Sequence, residues 1–136
     1  MMKKESFILV HAGEAPAPEI IQLEPEHLLD GMYQAIHCDC IEIVRVQTGL
    51  LLPHGVVLVA DESGWFRKQL IINRLATVWY GDVMVGNVLL ASEGYRNGEP
   101  DLVGLNDFQL KYLRDAFGIR NPKDYWFASN YALKNL

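Results

Sequence analysis

Basic residues in this chain are too few and too dispersed to grip a polyanion: 12 lysines and arginines face 17 acidic residues, leaving a formal charge of −5 over 136 residues. Non-specific affinity for nucleic acid comes mostly from clustered cations that displace counterions from phosphates, so direct nucleic-acid binding is not expected. Long apolar runs are also missing. Gly, Asn, Arg or Pro interrupts each one well short of the ~20 residues that span a bilayer. Lys3 and Lys4 lead only into Phe7–Val10, which His11 and Gly13 close, so no secretory leader is read there. Cysteine is limited to Cys38 and Cys40, no framework for disulfides, and a bridge between them would close a strained ring. That usage fits a reducing cytoplasm. A glycine-rich phosphate loop is absent: Val85-Gly86-Asn87 carries a single glycine and reads as a bulge or a close backbone approach. Nor is there the local signature that usually surrounds a catalytic nucleophile. No catalytic residue, metal ligand or cofactor is therefore assigned.

What is present is a chain half apolar by composition, long enough for one core and too short to suggest two. It reads as a single domain over 1–136, with a core spanning about 7–118 and an aromatic tail over 119–136. Phe7–Val10 and Glu19–Leu23 read as strands separated by the Ala15-Pro16-Ala17-Pro18 turn. Glu24-Pro25 opens a helix whose Leu28, Leu29, Met32 and Ile36 form one apolar stripe. The β-branched run Ile41–Gln47 predicts a half-wet strand, and Val56–Ala60, apolar throughout, a strand covered on both faces. Asp61-Glu62-Ser63-Gly64 is a turn, after which Trp65–Ile72 could return as a hairpin partner. Val83–Ala91 reads as a strand, Tyr95–Pro100 as a solvent loop. The last helix has a capping-box pair in Asn106 and Gln109, a staple in Leu105 and Leu110, a stripe through Leu113 and Phe117, and a stop at Gly118. The expected fold class is α+β: a mixed, mainly antiparallel sheet of about five strands, with two longer helices and one short helix.

The polar residues Asn73, Arg74 and Thr77 stand inside one of the most apolar regions, Ile71–Ala91. Unpaired buried polar groups cost a few kcal/mol, so these three must find partners or line a surface that something else uses. Thr77-Val78-Trp79-Tyr80 prefers strand, whereas Asn73 as a cap and Gly81 as a left-handed stop bracket a short helix, which is the reading preferred here. Two arrangements follow. Either the amide, guanidinium and hydroxyl converge on a polar ligand, or Asn73 caps, Thr77 bonds its own turn, and Arg74 pairs with Glu42 or Glu62. The architectural arrangement is the simpler. Asn73, Arg74, Thr77 and Glu42 are the candidate contact residues.

Further pieces of the chain carry a resemblance: Ile41-Glu42, Asp61-Glu62-x-Gly64, Asn73-Arg74-x-Ala76-Thr77, Tyr80-Gly81 and Val85-Gly86-Asn87. In this order they resemble the uncharacterised bacterial and phage family numbered 3846 among the domains of unknown function, over roughly Phe7–Leu105. The resemblance implies a small cytoplasmic protein often carried by phages and mobile elements, with no activity to transfer. Cys38-Asp39-Cys40 departs from the small glycine-type residues expected before the Ile-Glu pair.

His37, Cys38 and Cys40 could hold a metal only with further ligands; His11, His27 and His54 occur in no suitable spacing, so packing is the preferred reading. Tyr125, Trp126, Phe127 and Tyr131 either fold over the core or form a sticky contact for a protein partner or a homodimer. The expectation is a non-enzymatic accessory or binding protein. Two alternatives stay open: an enzyme that holds a small anion with Arg74 and uses Glu42 or Glu62 as base, and an acidic anti-restriction or DNA-mimic protein.

Overall fold

Alternation of side chains along three apolar strands divides this molecule into two cores, one on each face of a single sheet. The computed structural model describes residues 3–13, 18–46 and 51–117. Its strands are β1 (Glu5–Val10), β2 (Glu19–Leu23), β3 (Ile41–Val44), β4 (Val56–Asp61), β5 (Val88–Arg96) and β6 (Glu99–Val103). The order across the sheet is β2-β1-β5-β4-β3, and β6 also pairs with β5. Every pairing between these strands is antiparallel. Along β5, Val88–Leu90 pairs with β1 and Ser92–Arg96 with β6. Those two strands therefore lie end to end beside one long partner.

Because successive side chains point to opposite faces, Phe7, Leu9, Val57, Val59, Leu89 and Ala91 gather on one side. There they meet Met32 and Ile36 of α1 (Leu28–Ile36). Ile8, Val56, Leu58, Ala60, Val88 and Leu90 gather on the other. That side is covered by Leu75, Ala76 and Trp79 of α2 (Arg74–Tyr80) and by Leu113 and Phe117 of α3 (Asp107–Phe117). Trp79 and Phe117 stack edge to face at 5.3 Å. With both faces buried, Phe7–Val10 of β1, Val56–Ala60 of β4 and Val88–Ala91 of β5 need no polar alternation, which is why they read as continuous apolar runs.

Four local expectations differ from the observed chain. Tyr95–Pro100 is not a solvent loop: Asn97 (φ 55°) and Gly98 (φ 79°) make a two-residue hairpin turn that joins β5 to β6. Right-handed strand twist favours left-handed residues at both positions of such a turn, and Asn-Gly supplies them. Trp65–Ile72 forms no hairpin strand. It begins as a single 3-10 turn over Gly64–Phe66, and its only bridge is Ile72 to Val85. The strand expected from Val83 starts at Val88, because the backbone of Met84 and Gly86 is engaged by residues 71–77 and cannot also serve a ladder. Leu29 of the expected stripe is half exposed. Gln47, Gly118 and the aromatics Tyr125, Trp126, Phe127 and Tyr131 lie outside the described residues.

Candidate functional site

The 73–80 segment is helical for the reasons its ends suggested. Asn73 accepts a bond from Ala76 N (3.1 Å), and Gly81, at φ 86°, returns its N–H to the Thr77 carbonyl. The same Asn73 amide donates to the carbonyls of Val10 (2.9 Å) and Gly86 (3.0 Å), and its backbone N–H bonds Met84 O. Only 1% of the residue is exposed. One side chain thus caps α2 and ties it both to the end of β1 and to the 84–87 loop. Thr77 bonds Met84 rather than its own turn, accepting from Met84 N at 2.9 Å. Asn87 completes the joint by accepting from Ala12 N. Asn73 and Thr77, two of the three polar residues in the apolar region, are therefore spent on backbone groups that would otherwise lack partners.

Arg74 points elsewhere. It is exposed, and among the described residues it bonds neither Glu42 nor Glu62. Glu62 accepts instead from the Cys40 thiol. Glu42 sits on β3 and lines a pocket of about 130 Å³ with Val44, Trp65, Tyr80, Val83 and Met84; Asn73, Arg74 and Thr77 do not line it. Asn73 and Thr77 meet at the Met84 backbone, and Met84 lines the pocket with Glu42, whereas Arg74 takes part in neither contact.

That pocket is built from three elements. β3 carries Glu42, the 3-10 turn after β4 carries Trp65, and the last turn of α2 carries Tyr80. Trp65 is 57% exposed and Tyr80 46%, while Met84 and Val85 form a buried floor. Asp61, at the rim, is already committed: it accepts from Arg67 Nε and from Ser63 N, both at 2.9 Å. Glu42 has no bonding partner among the described residues. The pocket thus offers one free carboxylate between two accessible aromatic rings. Sequence reasoning missed Trp65 and did not single out Tyr80 as a site residue. The usable signal was Tyr80 within the Tyr-Gly pair, an aromatic at a helix end that exposes one edge.

A broader concavity of about 510 Å³ lies near the exit of α1, lined by Tyr33, Gln34, His37, Cys38, Asp39 and Arg67. His37 takes a left-handed φ of 61° to end α1, and Cys38 N bonds Tyr33 O. Burial pushes the Cys38 thiol up. Cys40 is also pushed up, first by its hydrogen bond to the Glu62 carboxylate and then by desolvation. Thiolate is the nucleophilic form, so both cysteines are poor nucleophiles at neutral pH. Iodoacetamide should alkylate exposed Cys40 more slowly than free cysteine, and Glu62→Gln should speed it at least about three-fold. A rate equal to free cysteine in the unsubstituted chain would show that the carboxylate does not hold the proton. No group of His, Cys, Asp or Glu among the described residues is arranged to hold a metal ion.

Residues 2–118 match the family model described as a domain of unknown function (DUF3846). The chain belongs to this family. No curated protein and no solved structure matches it. Within the DUF3846 pattern quoted above, five residues have work inside the joint: Asn73 and Thr77 bond the 84–86 backbone, Ala76 is fully buried, Gly81 ends α2, and Asn87 holds Ala12. Glu42, Asp61, Tyr80 and Val85 of that pattern meet at the small pocket. No helix among the described residues is long and apolar enough to cross a membrane.

Proposed function

We propose that this DUF3846 protein is a non-enzymatic binding protein, an accessory factor of phage or mobile-element type, whose contact surface is the apolar stretch around residues 65–83. The observation that carries this reading is a concentration of exposed large side chains. Trp65, Phe66, Leu70, Ile71 and Ile72 are 48–89% exposed, and Tyr80 and Val83 adjoin them at 46% and 40%. Scattered exposed apolar residues are ordinary, but a concentrated patch marks an interaction site. The partner is a protein, because a patch containing Trp, Tyr and Phe suits the aromatic-rich centre of a protein interface.

Two observations favour this reading over its rivals. Several acidic side chains among the described residues are neutralised by cations, as in Glu5–Arg96–Asp101, Glu93–Arg45 and Asp61–Arg67, which argues against a phosphate-like array. An enzyme acting on a small anion would need Arg74 and Glu42 together, yet Glu42 lines the small pocket and Arg74 does not.

The test places a photoactivatable crosslinker at Phe66 and, as a control at an exposed apolar residue of α1, at Leu29. A protein recovered only from Phe66 is purified and titrated against the full chain. Phe66→Asp should weaken binding by about 100-fold, the effect of losing an interface anchor, whereas Leu29→Asp should leave it unchanged. Recovery at both positions alike, recovery of a second copy of the chain alone, or an unaffected Phe66→Asp variant would overturn the proposal.

A further inference from the structure

We infer that the pocket between β3 and the end of α2 receives a basic side chain, lysine or arginine, from the protein partner; this rests on the binding reading above. Its size is the first argument. About 130 Å³ is well under the several hundred Å³ that enclose a whole small-molecule ligand, and matches a single inserted group. Its lining is the second. Val44, Val83, Met84 and Val85 supply an apolar wall for an aliphatic stem, as the stems of lysine and arginine require. The aromatic faces of Trp65 and Tyr80 attract a cation through their ring quadrupoles.

Charge selects the occupant. Of the two carboxylates in the pocket, Asp61 is held by Arg67 and Ser63, and Glu42 has no partner among the described residues. An incoming neutral apolar group would leave that carboxylate partly desolvated and unpaired, at a cost, whereas a cation would pair with it. The chain's net charge of −5 favours approach of a positively charged partner. The pocket also opens among the exposed apolar residues, since Trp65, Tyr80 and Val83 belong both to its lining and to the patch. An inserted basic side chain would therefore be ringed by apolar contacts that exclude water, the arrangement that concentrates binding energy in a few residues.

The direct test is an NMR titration of the full chain with three capped amino acids: N-acetyl-lysine methylamide, its arginine counterpart and its norleucine counterpart. Lysine or arginine should shift the Trp65 indole N–H and the Tyr80 ring signals, and norleucine, which has the stem without the charge, should not. Glu42→Gln should weaken the response about five-fold, as expected for one partly exposed ion pair, and Glu42→Lys should abolish it. Both substitutions fall on an exposed, unbonded side chain, and an unchanged thermal melt confirms that the fold is kept. Equal shifts from norleucine, no shift from either cation, or an unaffected Glu42→Gln variant would overturn the inference. The two proposals separate cleanly when the crosslinked partner is titrated. Loss of binding in Phe66→Asp with full binding in Glu42→Lys keeps the interface and removes the basic side chain, while full binding in Phe66→Asp removes the interface itself.

Discussion

Asn73→Ala is expected to destabilise the protein by about 3 kcal/mol, and to lower its melting temperature by roughly 10 °C. The magnitude follows from what one amide does. Losing the cap bond to Ala76 N costs about 1 kcal/mol, and the carbonyls of Val10 and Gly86, left without their donor, add about 1 kcal/mol each. Two further variants divide the total. Asn73→Ser keeps an oxygen able to cap α2 but has no amide to reach the two carbonyls, so it should recover only the capping share. Asn73→Asp keeps the cap oxygen and turns an acceptor towards both carbonyls, so it should be at least as damaging as alanine at neutral pH. Urea unfolding followed by circular dichroism reads all three. A loss under about 1 kcal/mol for Asn73→Ala would mean that water replaces the amide and that α2 is not held as described.

The second large effect is at the seam where β1 and β6 meet beside β5. Glu5 accepts from Arg96 Nη1 (2.8 Å), Arg96 Nη2 (3.0 Å) and Gly104 N (2.8 Å). Arg96 also donates to Asp101 (3.0 Å) and to the Leu102 carbonyl (3.1 Å). The Glu5 and Arg96 side chains are 25% and 19% exposed, so the bidentate pair is only partly screened by water. A Cβ on Gly104 would lie 2.6 Å from Glu5 Cβ and 3.0 Å from the Ser6 backbone, which shows how closely the strands approach there.

The Arg96 guanidinium hydrogen-bonded to Glu5 holds its carboxyl below the ordinary value of 4.5, and Glu5 in turn raises Arg96. The sign of the pH dependence follows. A carboxylate whose pKa is lowered by folding contributes stability that is fully present above its unfolded value and is lost as pH falls through the folded value. Glu5→Gln should therefore cost about 1–3 kcal/mol at neutral pH, with the difference from the unsubstituted chain shrinking as pH falls below about 4.5. Unfolding measured across that range checks it. A penalty that stays constant into acid would assign the effect to packing and not to the charge.

Much of the architecture was legible because local rules and tertiary packing agree. Ile8 and Val10 against Phe7 and Leu9 already sort onto two faces by alternation, and Val56–Ala60 announces a strand buried on both sides. Asn73 and Gly81 delimit α2 correctly although four consecutive residues between them prefer strand, because both ends supply specific bonds. Asn106 and Gln109 form the reciprocal cap expected, at 2.8 and 2.9 Å, and Gln109 then reaches on to Ser92 and His54 O. The hairpin at Asn97-Gly98 was hidden for a physical reason. β6 is an edge strand that opens with the exposed residues Glu99, Pro100 and Asp101, too wet there to show apolar alternation, and the missing Pro100 N–H is tolerated at an edge.

The amino-acid sequence by itself determined most of the elements, among them β1, β2, β4 and the three helices, together with the caps of α2 and α3 and membership of the DUF3846 family. Spacing and short-range bonding are properties of neighbours along the chain, and a sequence displays its neighbours. Tertiary structure alone decided that Arg96 meets Glu5 across 91 positions, that Asn73 spans to Val10, and that Glu42, Trp65 and Tyr80 frame one pocket while Arg74 stands apart. Such partners are chosen by the order of strands in the sheet. That order depends on which apolar faces bury most area together, a property of the whole core and of no single segment.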